Sequence, residues 1–258
     1  PFLMNHMPQR ATLWADEVQG VRAFGTTALA SVEQKRDEKL AIMSRNLDLT
    51  LEDHRLNAIM GILKNKDANI SVFTTMGVVE PTEIAFNLAQ TYDPNNPAIA
   101  GAIRQKCSTL LRDMQVALGG VVPRGCLALC SDAFWDDLIR APEIRTTYLN
   151  QVMANELRQD DAREAFVFGG ILWTNYRGTG STVIPPDKAR FVPLGVPGLF
   201  ITRFGPANYM EAANTNGIPK YTKARMLDFE KGIEMESQSN HVNLCTRPEA
   251  LFRGKRGA

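Results

Sequence analysis

Between Leu29 and Leu63 the apolar positions recur at steps of three and four residues: Leu40, Met43, Leu47, Leu51, Ala58 and Ile62, with His54 on the same stripe. That is the period of a helix. It predicts one helix over Leu29–Leu63, about 50 Å long at about 1.5 Å per residue. Its early stretch, Glu33-Gln34-Lys35-Arg36-Asp37-Glu38-Lys39, has no apolar side to bury. A helix that is polar all round is a strut through solvent or a face laid against a charged neighbour. The reading is a strut, in a chain shaped for assembly.

Ahead of it, Ala15–Gly25 mixes alternating apolar residues with two glycines. Val18, Val21 and Phe24 are too few for a core, which predicts an extended arm or hairpin that finds its cover elsewhere. Gly25-Thr26-Thr27 offers the helix start, with a threonine as N-cap. Beyond the helix, Lys64–Asp67 is a polar turn, and two short strands, Ile70–Phe73 and Ile84–Leu88, flank Gly77 and Pro81. Asn95-Asn96-Pro97 opens a second helix. Its apolar face is Ile99, Ile103, Cys107, Leu110, Leu111, Met114 and Leu118, and Gly119-Gly120 ends it.

Arg124–Cys130 reads as a short buried strand. Ser131-Asp132 then caps a helix carrying Phe134, Trp135, Leu138 and Ile139 as far as Pro142, and another helix runs from Glu143 to Leu157. Strands are expected at Ala165–Trp173, Ala189–Val192 and Leu199–Phe204. Met226–Glu236 alternates, with Leu227, Phe229, Ile233 and Met235 on one side and Asp228, Glu230, Glu234 and Glu236 on the other. This predicts one long strand with a wet face. Val242–Thr246 is expected to fold back beside it through Ser237–Asn240.

Length and composition narrow the class. At 258 residues, 44% apolar and 22% charged, the sequence suits one large or two modest folded domains. A net charge of +1 argues against a broad basic surface made for nucleic acid. No run approaches the roughly 18 apolar residues that cross a bilayer. The opening residues lack the layout of a secretory signal, and the absence of an initiating Met suggests a processed or partial chain. Four scattered cysteines, Cys107, Cys126, Cys130 and Cys245, make no disulfide framework and point to a reducing site of synthesis.

Candidate chemistry is sparse. On a strand Cys126 and Cys130 would be about 13 Å apart, too far to share a metal ion. His6, His54 and His241 carry no ligand spacing, and His54 reads as a packed, hydrogen-bonded ring. Tyr176–Ser181 resembles a phosphate cradle only in its glycines. The glutamates at 230, 234 and 236 form an exposed row without the contrasting environments that paired catalytic carboxylates need. No GxSxG elbow occurs. Arg253–Arg256 reads either as a basic end for contact with polyanion or as a frayed, solubilising tail. No cofactor or metal is expected.

The terminal stretches carry a resemblance. Met235-Glu236-Ser237-Gln238-Ser239-Asn240 and the segment from Leu244 to Arg253 resemble the end of the lambda-type major capsid protein E family of tailed bacteriophages. Glu17–Gly25 and the helix end His54–Gly61 resemble that family's extended loop and spine helix. The similarity runs from about Trp14 to Arg253.

The resemblance implies an α+β, HK97-like major capsid fold and a subunit that is no enzyme. Its expected parts are an extended loop over 1–27, a peripheral domain over 28–92 and 224–258 with the spine helix, and an axial domain over 93–223. It implies self-assembly into hexamers and pentamers of an icosahedral shell around double-stranded DNA, built in the host cytoplasm and residing in the virion. Scaffold, portal and a decoration protein are the expected partners, and no membrane is. The expected inter-subunit contacts are Trp14, Val18, Val21, Arg22, Phe24, Glu33, Lys35 and Arg36. No lysine precedes Lys35, so a covalent link through a loop lysine is not expected. The alternatives are an encapsulin-like or prophage-derived compartment and, in another class, a soluble enzyme with its site around Cys126–Trp135.

Overall fold

The computed structural model describes residues 4, 6–19, 31–64, 69–88, 101–149, 165–178, 180 and 182–257. The chain divides into two compact units. The first comprises residues 1–55, 63–69 and 201–244, and the second residues 56–62, 70–200 and 245–258.

The first unit is built on a three-stranded antiparallel sheet of β1 (Pro8–Trp14), β10 (Tyr221–Met226) and β11 (Gly232–Gln238), with β11 in the centre. Strand alternation divides its faces. Ala11 pairs Met235 and Leu13 pairs Ile233, and this side packs on Leu40 and Met43 of α2 (Val32–Ile59). Burying Leu13, Met43 and Met235 stabilises the unit by roughly 1.5–3 kcal/mol each.

The helix is shorter than its stripe predicts, 28 residues. Ser31 Oγ accepts from the Gln34 N–H at 3.1 Å, and Gln34 Oε1 accepts from the Ser31 N–H at 3.3 Å. This reciprocal capping box sets the start; the expected threonine cap lies outside the described residues. At the other end Gly61, at φ +73°, turns the chain, and Ile62 and Leu63 enter a short strand, β2 (Ile62–Lys64). A Cβ at position 61 would come 2.2 Å from the Phe73 ring, so only glycine fits this reversal.

Two expectations for the first unit are corrected. Ala15–Val18 is a helical turn, α1, and Val18 is half-buried against the subunit's own core. Met226–Glu236 is a hairpin, not one strand: β10 ends at Met226, Asp228–Glu230 form a 3-10 turn, and β11 starts at Gly232. The apolar alternation runs through the turn and conceals it, and Phe229 and Glu230 occupy left-handed positions usually given to glycine or asparagine. As a result β12 (His241–Cys245) does not return beside this segment but pairs with β9 (Phe200–Phe204).

The second unit holds a six-stranded mixed sheet. In spatial order its strands are β4 (Ile84–Ala85), β13 (Phe252–Lys255), β8 (Lys188–Leu194), β5 (Gly125–Cys130), β7 (Ile171–Asn175) and β6 (Phe166–Phe168). Its core joins Phe86, Phe134, Trp173 and Phe191 with Cys107, Leu110 and Met114 of α4 (Ala102–Ala117) and Leu138 of α5 (Asp132–Arg140). Trp173 and Phe191 meet edge to face at 5.4 Å, and the Trp173 indole N–H donates to the Phe168 carbonyl at 3.1 Å.

Here too the structure corrects detail. Ala165–Trp173 is not one strand: Gly169-Gly170 turn β6 into β7. Val72 and Phe73 begin a helix, α3 (Val72–Met76), after β3 (Asn69–Ser71), because Ser71 Oγ accepts from the Thr74 N–H. As expected, α5 ends ahead of Pro142, at Arg140, and Pro142 itself is the first residue of α6 (Pro142–Leu149). The opening of the second helix at Asn95–Pro97 and the extension of α6 to Leu157 lie outside the described residues. The basic end is not frayed: it contributes β13. Arg253 pairs with Glu80 at 2.8 Å, and Arg256 with Asp137 and Asp187 at 3.1 Å each.

Candidate assembly surface

The three-stranded sheet of the first unit turns a charged face away from its core. Register aligns Arg10, Glu236 and Lys223 in one row and Thr12, Glu234 and Arg225 in the next. Arg10 donates to Glu236 and Arg225 to Glu234, each at 2.5 Å. With Asn208 and Tyr209 these side chains line a depression of about 350 Å³. Burial, and then Glu236, push the Tyr209 hydroxyl up to about 12. Burial alone would raise the Glu236 carboxyl, but hydrogen bonds from Gln238, Arg10 and Tyr209 outweigh it and hold the carboxyl below its ordinary value. Exposed pairs of this kind are screened by solvent and add little to stability, so their value lies in register.

At one end of the same sheet lies an apolar groove of about 480 Å³. Leu13, Trp14, Val18, Val32, Met226 and Ile233 line it, with Gln19 and Glu230 as the polar part of the lining. Trp14 is 47% exposed and Met226 60%. The adjoining hairpin tip carries Phe229, 90% exposed. Contiguous apolar surface with a polar rim is the anatomy of a protein–protein contact.

The residues expected at interfaces divide three ways. Trp14 and Val18 meet in the groove. Glu33 is exposed, whereas Lys35 and Arg36 pair with their helix neighbours Glu38 at 2.8 Å and Asp37 at 3.1 Å. Val21, Arg22 and Phe24 lie outside the described residues. Sequence reasoning missed Val32, Met226 and Phe229. The hairpin explains the last two, since a period-two pattern assigned Phe229 to a core face.

The candidate thiols and the alternative enzyme region lie in packed interiors, whereas His6 is exposed. Cys107, Cys126, Cys130 and Cys245 are all buried free thiols. Burial pushes Cys107 and Cys126 up to about 12 and Cys245 to about 11, and Cys130 upward as well. Phe134 and Trp135, in the alternative enzyme region, are core residues. Among the described residues no three His, Cys, Asp or Glu side chains converge as a metal site requires. No helix among them is long and apolar enough to cross a membrane.

Comparison with known proteins agrees along the whole chain. The profile of the family described as Phage major capsid protein E matches residues 1–256. The major capsid protein of Pseudomonas phage KPP10 is 27% identical over 274 residues, covering 98% of this chain and 77% of the relative. That of Salmonella phage Felix O1 is 26% identical, covering 97% and 76%. Among solved structures, the capsid of Ralstonia phage GP4 is similar with a TM-score of 0.58 at 10% identity, over 99% of this chain and 74% of that one. The mature capsid of bacteriophage PhiM1 is similar with a TM-score of 0.52 at 12% identity, over 99% and 72%. These structural likenesses show the fold, the HK97-like mixture of helix and sheet expected from the resemblance. The match of the family profile over nearly every residue shows that the chain belongs to the phage major capsid protein E family.

Proposed function

We propose that this chain is the repeating subunit of an icosahedral phage head, assembling as hexamers and pentamers around packaged double-stranded DNA. The observation that carries the proposal is the first unit's apolar groove with the uncovered hairpin beside it, in a chain of a capsid family. A subunit that works alone gains nothing from keeping Trp14, Met226 and Phe229 in water, whereas a shell covers such surface many times over. The near-neutral charge suits a container wall, since strong phosphate binding would impede filling and release.

In this reading the subunit is structural and has no catalytic centre. The loop function belongs to residues 1–27, the peripheral function to 28–92 and 224–258, and the axial function to 93–223. The compact units group residues 70–92 and 245–258 with the second unit. Assembly takes place in the host cytoplasm with scaffold and portal, and a decoration protein reinforces the finished head. The test is electron microscopy of the purified chain and of particles from infected cells. Closed shells containing DNA are expected. Shells loaded with protein and free of DNA would identify a compartment instead, and a small oligomer with saturable turnover would identify an enzyme.

A further inference from the structure

We propose that the β10–β11 tip is a knob that seats in the apolar groove of a second copy of this chain, Phe229 entering beside Trp14, Val18, Met226 and Ile233. The contact rests on the shell reading and names the surfaces that meet.

The knob is shaped against the interest of the lone subunit. Phe229 stands at φ +60° and Glu230 at φ +56°. Two successive non-glycine residues in the left-handed region cost on the order of 1–2 kcal/mol each. That cost holds a 90% exposed aromatic ring in water. Backbone strain of this kind persists where the displayed side chain has work to do.

The groove matches the knob in polarity and charge. Its floor is apolar and broad enough to admit an aromatic ring. Asp16 and Glu33 each adjoin a lining residue in sequence, Ala15 and Val32, both are exposed, and neither forms an ion pair among the described residues. Lys231 Nζ lies 5.4 Å from the Phe229 ring centroid, over its face, and has no ion-pair partner among the described residues. Lys231 is the one cation of a tip that also carries Asp228 and Glu230, so it is the group that pairs with Asp16 or Glu33 of the receiving copy. Met226 and Ile233 line the groove at the base of the hairpin and Glu230 lines it from the tip, whereas Phe229 is not among its lining residues and is 90% exposed, so the ring does not enter its own groove. Copies related by rotation present one feature to the other, the arrangement that builds closed assemblies.

The test uses the full chain. Phe229→Gly removes the knob while relieving its strained φ, so the subunit folds at least as well, with thermal unfolding as the control. At least tenfold fewer particles are expected than from wild type, and Lys231→Glu reduces the yield in the same direction. A Trp14→Cys, Phe229→Cys double variant then reports the contact directly, because the four native cysteines are buried. With a mild oxidant such as oxidised glutathione to accept the two electrons, a disulfide between subunits is expected in the double variant and in neither single one. Closed shells of the double variant with no 14–229 cross-link, or full shell yield from Phe229→Gly, overturn the contact alone. So does cross-linking by Phe229→Cys by itself, or to a different protein. The cross-link in a small oligomer that never closes supports the contact and overturns the shell.

Discussion

His54 on α2 and His241 on β12 meet edge to face with their ring centroids 4.8 Å apart. His241 is buried, its Nδ1 lies 3.2 Å from Ser239 Oγ, and its Nε2 has no hydrogen-bond partner among the described residues. Burial, then the charges of His54 and Arg55, lower His241 to about 4. Burial also lowers His54, against the pull of Asp53 and with the help of Lys64. The pair is built to be neutral.

Acid therefore weakens the fold. An unfolded histidine titrates near 6.5, so below that pH the unfolded chain binds protons that folded His241 refuses. Stability is expected to be flat above about pH 7 and to fall from about 6.5 towards 4. Thermal unfolding across that range checks this, and His241→Phe, which keeps the ring packing, flattens the slope. An unchanged slope in that variant would remove His241 as its source.

Native thiols are expected to resist an aromatic disulfide reagent at pH 8. All four are buried, and burial raises each above the ordinary thiol value, which withholds the reactive thiolate. In denaturant four equivalents react per chain. Rapid reaction of the folded protein would contradict the packing of α4 and β5 described above.

Trp173→Ala opens a cavity among Phe86, Phe134 and Phe191 and abandons the indole hydrogen bond to Phe168. A loss of about 3–5 kcal/mol is expected, read as a lowered urea midpoint and poor soluble yield. Ser31→Ala removes only the capping oxygen of α2 and costs about 1 kcal/mol. The contrast between the two separates core from helix end.

Particles dissolved in hot detergent are expected to run as a single subunit-sized band, since residues 1–34, which include the expected loop, hold no lysine to form a covalent link. A ladder of multimers resistant to reductant would show that subunits are cross-linked by another route.

Elements with one deeply buried face were legible in the sequence. Ile103, Cys107, Leu110, Met114 and Leu118 all proved buried, and β5 with α5 lies where the pattern placed it. Family and fold were legible through long ordered stretches of similarity rather than through any catalytic signature. The turn at Phe229 was not, because its residues carry no turn chemistry and the alternation continues across it. Neither was β13. Phe252-Arg253-Gly254-Lys255 reads as a basic tail until partners distant in sequence, Glu80 and Phe191, come beside it. Local periodicity holds no record of such partners, and for the same reason it could not reveal a groove assembled from β1, α1, the start of α2 and the β10–β11 hairpin.

The position of β13 between β4 and β8 orders the life of the subunit. Every other strand of that sheet leaves the ribosome before residue 252, and until then β4 and β8 lack their shared neighbour. The second unit thus closes only once residues 252–255 have been translated. Until then the edges of β4 and β8 that β13 covers present unpaired backbone groups, and the sheet stands as two separate pieces.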